Sequence, residues 1–246
     1  MLNIIVLMAG PDRIHLEGVG GFPTALIEFN GKPIIENLIG MCEQVPDIHM
    51  FFVAKAAEVK KFRLDNVIAL LKPNSQVITI DQETKGAACS ALLAAAYIQP
   101  TEPLLILSID DILDVSLTEV LADFQERQLD AGVVVFPSVH PRYSFVRLNQ
   151  DGLVTEAAEK NPISRHAAAG CYYYALGSHF IDAAKSMIRK DAHVDGRFYV
   201  CPAFNEMILQ HAKIGVWSIQ SSQYHPIKSQ HQLAQYEHTM EMGTKL

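Results

Sequence analysis

Two neighbouring carboxylates, Asp110 and Asp111, follow an apolar run at residues 104–108, with only Ile109 between. The run predicts a buried strand, so both side chains fall at its carboxyl end, where open α/β sheets bind ligands. Carboxylate oxygens at such a position suit a hard cation or a ligand hydroxyl. A strand-ending turn or a helix N-cap is the structural alternative for Asp110. The position favours a metal or ligand role.

A second candidate segment follows the first apolar run of the chain, residues 2–8. Residues 9–22 contain four glycines and one proline, which predicts a loop. Arg13 lies in this loop, where it is either a phosphate ligand or a solvated surface arginine. If both apolar runs are strands of one parallel sheet, the loop and the Asp110 turn face one pocket.

The elements that must position these residues alternate between strands and helices up to residue 136. This alternation predicts a doubly wound sheet that is parallel over the first half of the chain. Strands are predicted at 2–8, 49–54, 76–80, 104–108 and 131–136, and helices from Pro33 onward and at 58–71, 85–98 and 117–127.

The second half has a different pattern. Residues 149–152 (Asn-Gln-Asp-Gly) form a predicted hairpin turn between strands at 144–148 and 153–158. Further elements are a strand at 168–175, helices at 180–188, 202–211 and 230–241, and a strand at 214–219. We expect one domain with two different halves, at 1–136 and at 137–246, the second of which is β-rich.

Composition excludes several classes of protein. The 246 residues are 49% hydrophobic and 19% charged, which is typical of a globular protein. A net charge of -7 argues against a nucleic-acid partner, since such proteins usually carry a basic excess. No apolar run reaches membrane-spanning length. The four cysteines form no CxxC pair, and we expect reduced thiols in a cytoplasmic protein.

The first half carries a resemblance to a known family. Residues 5–10 (IVLMAG), then Arg13, then residues 23–33 (PTALIEFNGKP) are similar to the strand, loop and Gly-Lys-Pro segment of sugar-1-phosphate nucleotidylyltransferases. The resemblance covers nearly the whole chain, and the variant associated with capsule and lipopolysaccharide loci is nearest. The chain departs from it at Pro11-Asp12, where Gly-Ser or Gly-Thr is expected, and at Thr24, which replaces a lysine that bridges the phosphates of both substrates.

The resemblance implies roles for loop residues around the nucleotide. Backbone groups of Met8, Ala9 and Gly10 would contact the triphosphate, and Arg13 would act as a catalytic phosphate ligand. It also implies that a base is read by the residues Gln82, Gly86 and Ala87. The amide of a glutamine donates and accepts at once, which suits base recognition; an ordinary polar loop residue is the alternative.

The resemblance implies a metal and a sugar site as well. Asp110 would be catalytic and hold Mg²⁺, with Asp111 as the alternative register. Glu159, Lys160 and Gly170 would bind the sugar. The family's second metal-binding aspartate has no counterpart in residues 224–229 (YHPIKS), where His225 is a poor substitute, because imidazole suits softer metals.

Taken together, the resemblance implies a Rossmann-like, doubly wound mixed sheet of the nucleotide-diphospho-sugar transferase (GT-A-like) type. It also implies a nucleotide-binding half at 1–136 and a sugar-binding half at 137–246. The implied enzyme is a cytoplasmic nucleotidyltransferase that uses Mg²⁺ to join a nucleoside triphosphate to a sugar 1-phosphate for surface polysaccharide biosynthesis. Two alternatives stay open: a glycosyltransferase-type or other transferase that uses a finished nucleotide sugar, and a catalytically decayed protein that binds a nucleotide or sugar nucleotide. Base, sugar and self-association are left open.

Overall fold

A computed structural model describes residues 1–10, 15–16, 20–29 and 31–227 of the chain. The strands within these residues are β1 (Leu2–Leu7), β2 (His15–Leu16), β3 (Gly20–Gly21), β4 (Glu28–Phe29), β5 (Lys32–Pro33), β6 (Ile48–Lys55), β7 (Gln76–Ile80), β8 (Leu104–Ser108), β9 (Asp111–Leu113), β10 (Ala131–Pro137), β11 (Ser144–Leu148), β12 (Val154–Glu159), β13 (His166–Tyr174), β14 (Ile214–Ser218) and β15 (Tyr224–Pro226). The α-helices are α1 (Ile34–Cys42), α2 (Ala56–Phe62), α3 (Leu64–Leu71), α4 (Ala87–Leu93), α5 (Leu117–Glu126), α6 (Gly177–Arg189) and α7 (Phe204–Ile208).

Nine of these strands form one mixed sheet. Its main path runs β12-β11-β13-β8-β1-β6-β7, and β10 pairs with β13 and with β14. The strands β8, β1, β6 and β7 are parallel, whereas β13 runs antiparallel to β8. The predicted α/β fold class with a mixed sheet is confirmed.

The core lies on both faces of this sheet. Ile4, Ile5 and Val6 of β1 are fully buried, because helices cover the strand from both sides. Helices α1, α3 and α5 contribute to the hydrophobic cluster on one face, and α4 and α6 to the cluster on the other. No helix in the described ranges is long and apolar enough to cross a membrane.

Three predicted helices differ from the structure. The helix expected at 58–71 is two helices, because Arg63 adopts a left-handed conformation (φ 55°) between α2 and α3. The helix expected at 85–98 is α4 followed by a 3₁₀ turn, and the one at 202–211 is a 3₁₀ turn followed by α7. The helix predicted at 230–241 lies outside the described residues.

One long strand, β13, connects the β11–β12 hairpin with the parallel strands of the sheet. The first part of β13 pairs with β11, and its last part pairs with β8. Gly170 lies between these two pairings with a left-handed φ of +75°. The change of partner brings the hairpin of β11 and β12 next to the carboxyl end of β8.

Candidate functional site

A cavity with a volume of about 610 cubic ångströms opens at the carboxyl ends of β1 and β8. Met8, Ala9 and Gly10 line it where the chain leaves β1. Asp110 and Asp111 line it where the chain leaves β8. Two segments a hundred residues apart therefore face one space, as the pattern of strands predicts.

One wall of the cavity follows the loop between β7 and α4. Gly86 and Ala87 line it, together with Thr84 and Ser90, whose hydroxyl oxygens are 2.7 Å apart. A Cβ on Gly86 would lie 2.4 Å from the Phe198 carbonyl oxygen, so the glycine permits a close backbone contact here. Gln82 is exposed and is not among the described residues that line the cavity.

The opposite wall comes from the β11–β12 hairpin and β13. Glu159 is buried and accepts a hydrogen bond from the Ser144 hydroxyl. Gly170 and Tyr172 lie beside it. A recess with a volume of about 120 cubic ångströms extends from this wall towards β8. Burial, with Cys201 and Glu159 nearby, raises the pKa of Tyr172 well above its usual value, so its phenol stays protonated.

Each of the two strand-end carboxylates accepts a hydrogen bond from a hydroxyl group. Ser108 donates to Asp110, and Tyr224 donates to Oδ1 of Asp111 across 2.6 Å. A Cβ on Gly170 would lie 2.4 Å from Oδ2 of Asp111, so only a glycine leaves room for the carboxylate there. Charge-assisted bonds of this kind fix the orientation of a carboxylate.

Three cationic side chains line the described part of the cavity. Arg142 lies over the Tyr143 ring, with its guanidinium carbon 4.7 Å from the ring centroid. Lys160 lies 3.3 Å from Asp195, and a hydrogen bond with Tyr199 raises the pKa of the lysine. The third, Arg197, lies 3.8 Å from Glu83. All three side chains are exposed, which leaves them accessible to an anionic ligand.

Besides Gln82, one more predicted site residue, His225, does not line the described part of the cavity. His225 lies one position beyond Tyr224 on β15, and its Nε2 is 2.7 Å from Asp114. It is not among the cavity-lining residues that the structure describes, and its metal role stays a prediction. Arg13 lies outside the described residues, and its phosphate role stays a prediction.

The donor set of the cavity fits a cation that is shared with a ligand. Among the described residues, no group of three or more His, Cys, Asp or Glu side chains could hold a metal ion. Asp110 and Asp111 offer two carboxylates. Magnesium commonly binds one or two carboxylates and completes its shell with phosphate oxygens and water.

Several lining residues carry no sequence signal that singles them out. Arg142 and Arg197 are isolated charges in loops, and Tyr224 belongs to a segment noted only for lacking a carboxylate. The cavity position of Thr84 could have been predicted, because it lies in the polar stretch that follows β7, and ligands bind at the carboxyl ends of parallel strands.

Comparison with known proteins agrees with this architecture. A family model described as Nucleotidyl transferase matches residues 21–214, which is most of the chain. No curated protein sequence matches. The crystal structure of the nucleoside-diphosphate-sugar pyrophosphorylase from Vibrio cholerae RC9 is similar with a TM-score of 0.79 and 17% identity, over 96% of this chain and 99% of that chain.

Two further solved structures have the same fold. The inositol-1-phosphate CTP transferase from T. maritima has a TM-score of 0.75 and 14% identity, over 97% of this chain and 94% of that chain. A UDP-glucose pyrophosphorylase complexed with UDP-glucose has a TM-score of 0.76 and 14% identity, over 98% of both chains. The strand order, the cavity at the strand ends and the family match lead to one conclusion: the chain belongs to the nucleotidyl transferase family of enzymes.

Proposed function

We propose that this transferase joins a nucleoside triphosphate to a sugar 1-phosphate and releases pyrophosphate. The observation that supports this most is that one cavity has two chemically different walls. The wall at Gly10 and Gly86 offers backbone and small side chains, which suit a nucleotide. The wall at Glu159 and Gly170 offers a buried acceptor beside a recess, which suits the hydroxyls of a sugar.

In this reaction a phosphate oxygen of the sugar 1-phosphate forms a bond to the α-phosphorus, and the bond from that phosphorus to pyrophosphate breaks. The protein has little covalent chemistry to perform, so its residues position the substrates and offset charge. We assign phosphate contacts to Arg142, Lys160 and Arg197. Asp110 would hold Mg²⁺, which supplies positive charge to the phosphate oxygens when bound.

The proposal extends to the setting of the reaction. Residues 1–136 would serve the nucleotide and residues 137–246 the sugar, within one domain. The four cysteines are free thiols, which supports a reducing compartment such as the cytoplasm. A role in surface polysaccharide biosynthesis is part of the proposal and rests on the resemblance of the sequence to the variant associated with capsule and lipopolysaccharide loci.

The direct test is a pyrophosphate-release assay over all common nucleoside triphosphates and sugar 1-phosphates, with and without Mg²⁺. We expect release for at least one pair and only with the cation. If no pair releases pyrophosphate but a nucleotide sugar binds much more tightly than any triphosphate, a glycosyltransferase-type reaction replaces this proposal. Binding of nucleotides without any turnover would point to a decayed enzyme.

A matched pair of variants tests the assignment of the cations. Arg142→Met removes a guanidinium that lines the cavity, whereas Arg147→Met removes one from β11 that pairs with Glu156 outside it. We expect Arg142→Met to lower kcat/KM on the order of 10- to 100-fold. Equal activity of the two variants would refute a phosphate contact for Arg142.

A further inference from the structure

The strand β15 lies directly against the segment that carries Asp111. Tyr224 pairs with Leu113, and Pro226 pairs with Asp111, in antiparallel register. The backbone N–H of Ile227 donates to the Asp110 carbonyl across 2.7 Å, which extends the pairing by one step. This register carries the Tyr224 side chain to the cavity, where its hydroxyl donates to Asp111.

The Tyr224 ring is held firmly in place. It is buried, with its centroid 4.2 Å from that of Phe136 and 5.9 Å from that of Tyr143. The ring therefore has little freedom to move, and its hydroxyl is fixed as a hydrogen-bond donor to Asp111.

The hydroxyl fixes a carboxylate that faces the sugar wall. Asp111 lines both the main cavity and the recess, as Glu159 and Gly170 also do. With Oδ1 held by Tyr224 and Oδ2 over Gly170, the carboxylate has one defined orientation. A carboxylate oxygen accepts hydrogen bonds, so a ligand hydroxyl that meets Asp111 would donate one to it.

We propose that Tyr224 is a positioning residue, which orients Asp111 to accept a hydroxyl of the phosphorylated acceptor. The inference rests on the proposed function and deepens it, because it assigns Asp111 to the polyol and leaves the cation to Asp110. The acceptor class is then a hydroxyl-bearing phosphate, such as a sugar or cyclitol phosphate.

The test is Tyr224→Phe, which keeps the ring and removes only the donor. We expect the KM for the sugar phosphate to rise roughly tenfold, because the acceptor loses an oriented, charged partner. We expect kcat and the KM for the triphosphate to stay within about threefold. Tyr173→Phe is the control, since this buried tyrosine of β13 loses a hydrogen bond to Gln125 away from the cavity.

A double-mutant cycle shows whether Tyr224 acts through Asp111. In an Asp111→Asn background, Tyr224→Phe should change the KM for the acceptor by less than about threefold. A full tenfold rise in that background overturns the inference, because the tyrosine would then act on its own. A change in kcat or in the triphosphate KM alone overturns it too, since Asp111 would then serve the nucleotide or its cation.

Failure of the inference and of the proposed function are distinguishable. If the wild-type protein releases pyrophosphate and Tyr224→Phe is unchanged, only the inference fails. If no substrate pair reacts, calorimetry with glucose 1-phosphate and mannose 1-phosphate replaces the kinetic assay. Roughly tenfold weaker binding to Tyr224→Phe supports the inference, whereas equal binding, or no binding to the wild type, overturns it.

Discussion

Replacement of Gly170 by alanine should damage both the stability and the site of this protein. The residue has a φ of +75°, and an added Cβ would lie 2.4 Å from Oδ2 and 3.0 Å from the Cβ of Asp111. A left-handed conformation costs a non-glycine residue about 1–2 kcal/mol. Displacement of the carboxylate would also weaken its hydrogen bond from Tyr224, at a further cost of about 1–2 kcal/mol. We therefore expect Gly170→Ala to lower the free energy of unfolding by about 2–4 kcal/mol.

Gly152 provides a matched control for this prediction. It has nearly the same φ, +74°, but an added Cβ would meet no atom within 4 Å. Gly152→Ala should therefore show only the backbone cost of about 1–2 kcal/mol in urea denaturation. It should keep wild-type activity, whereas Gly170→Ala should raise the KM for the acceptor. If both variants lose the same stability within about 0.5 kcal/mol, the contact between Gly170 and Asp111 is not a constraint on the fold.

Three other predictions follow from described contacts. The Asn205 side-chain amide accepts a hydrogen bond from the N–H of Ala157 and donates one to its carbonyl, each at 2.8 Å. Asn205→Ala should therefore lower the free energy of unfolding, measured by urea denaturation, by about 1–3 kcal/mol. A smaller loss would show that these two hydrogen bonds do not stabilise the fold. In the native protein a thiol reagent should modify Cys89 alone, since the other three cysteines are buried, and mass spectrometry would count the adducts. Thr24→Lys should change kcat/KM by less than about tenfold, because other cations line the cavity; a larger gain would indicate an enzyme that lacks this charge.

Sequence patterns predict best the elements whose own run of residues shows which side chains are buried. The apolar run of β1 and the strand β7 follow from continuous or alternating hydrophobicity, and both are strands in the structure. The break at Arg63 could not be predicted in this way, because the apolar spacing continues through it while the backbone turns left-handed. Tertiary packing overrides helix propensity at such a point.

The same distinction applies to the candidate site. That the β1 loop and Asp110 face one space follows from the rule that ligands bind at the carboxyl ends of parallel strands. This rule does not predict that Arg142 or Tyr224 lines the cavity. A loop places Arg142 there, and the antiparallel pairing of β15 with β9 places Tyr224 there. The hydroxyl of Tyr224 reaches Asp111 across 113 residues of sequence, a relation that periodicity does not encode.

The distribution of charge around the cavity bears on the missing lysine at Thr24. Among the described lining residues, the cations Arg142, Lys160 and Arg197 all come from the second half of the chain. Carboxylates line the cavity from both halves and outnumber these cations. A triphosphate would meet unfavourable charge at such a surface unless a cation accompanied it, because unscreened like charges repel strongly in a partly enclosed site. The proposed Mg²⁺ at Asp110 and the phosphate contacts from the second half therefore belong together. In this scheme, positive charge reaches the phosphates with the metal ion and from the sugar-binding half, so that the role of a lysine at position 24 is divided between them.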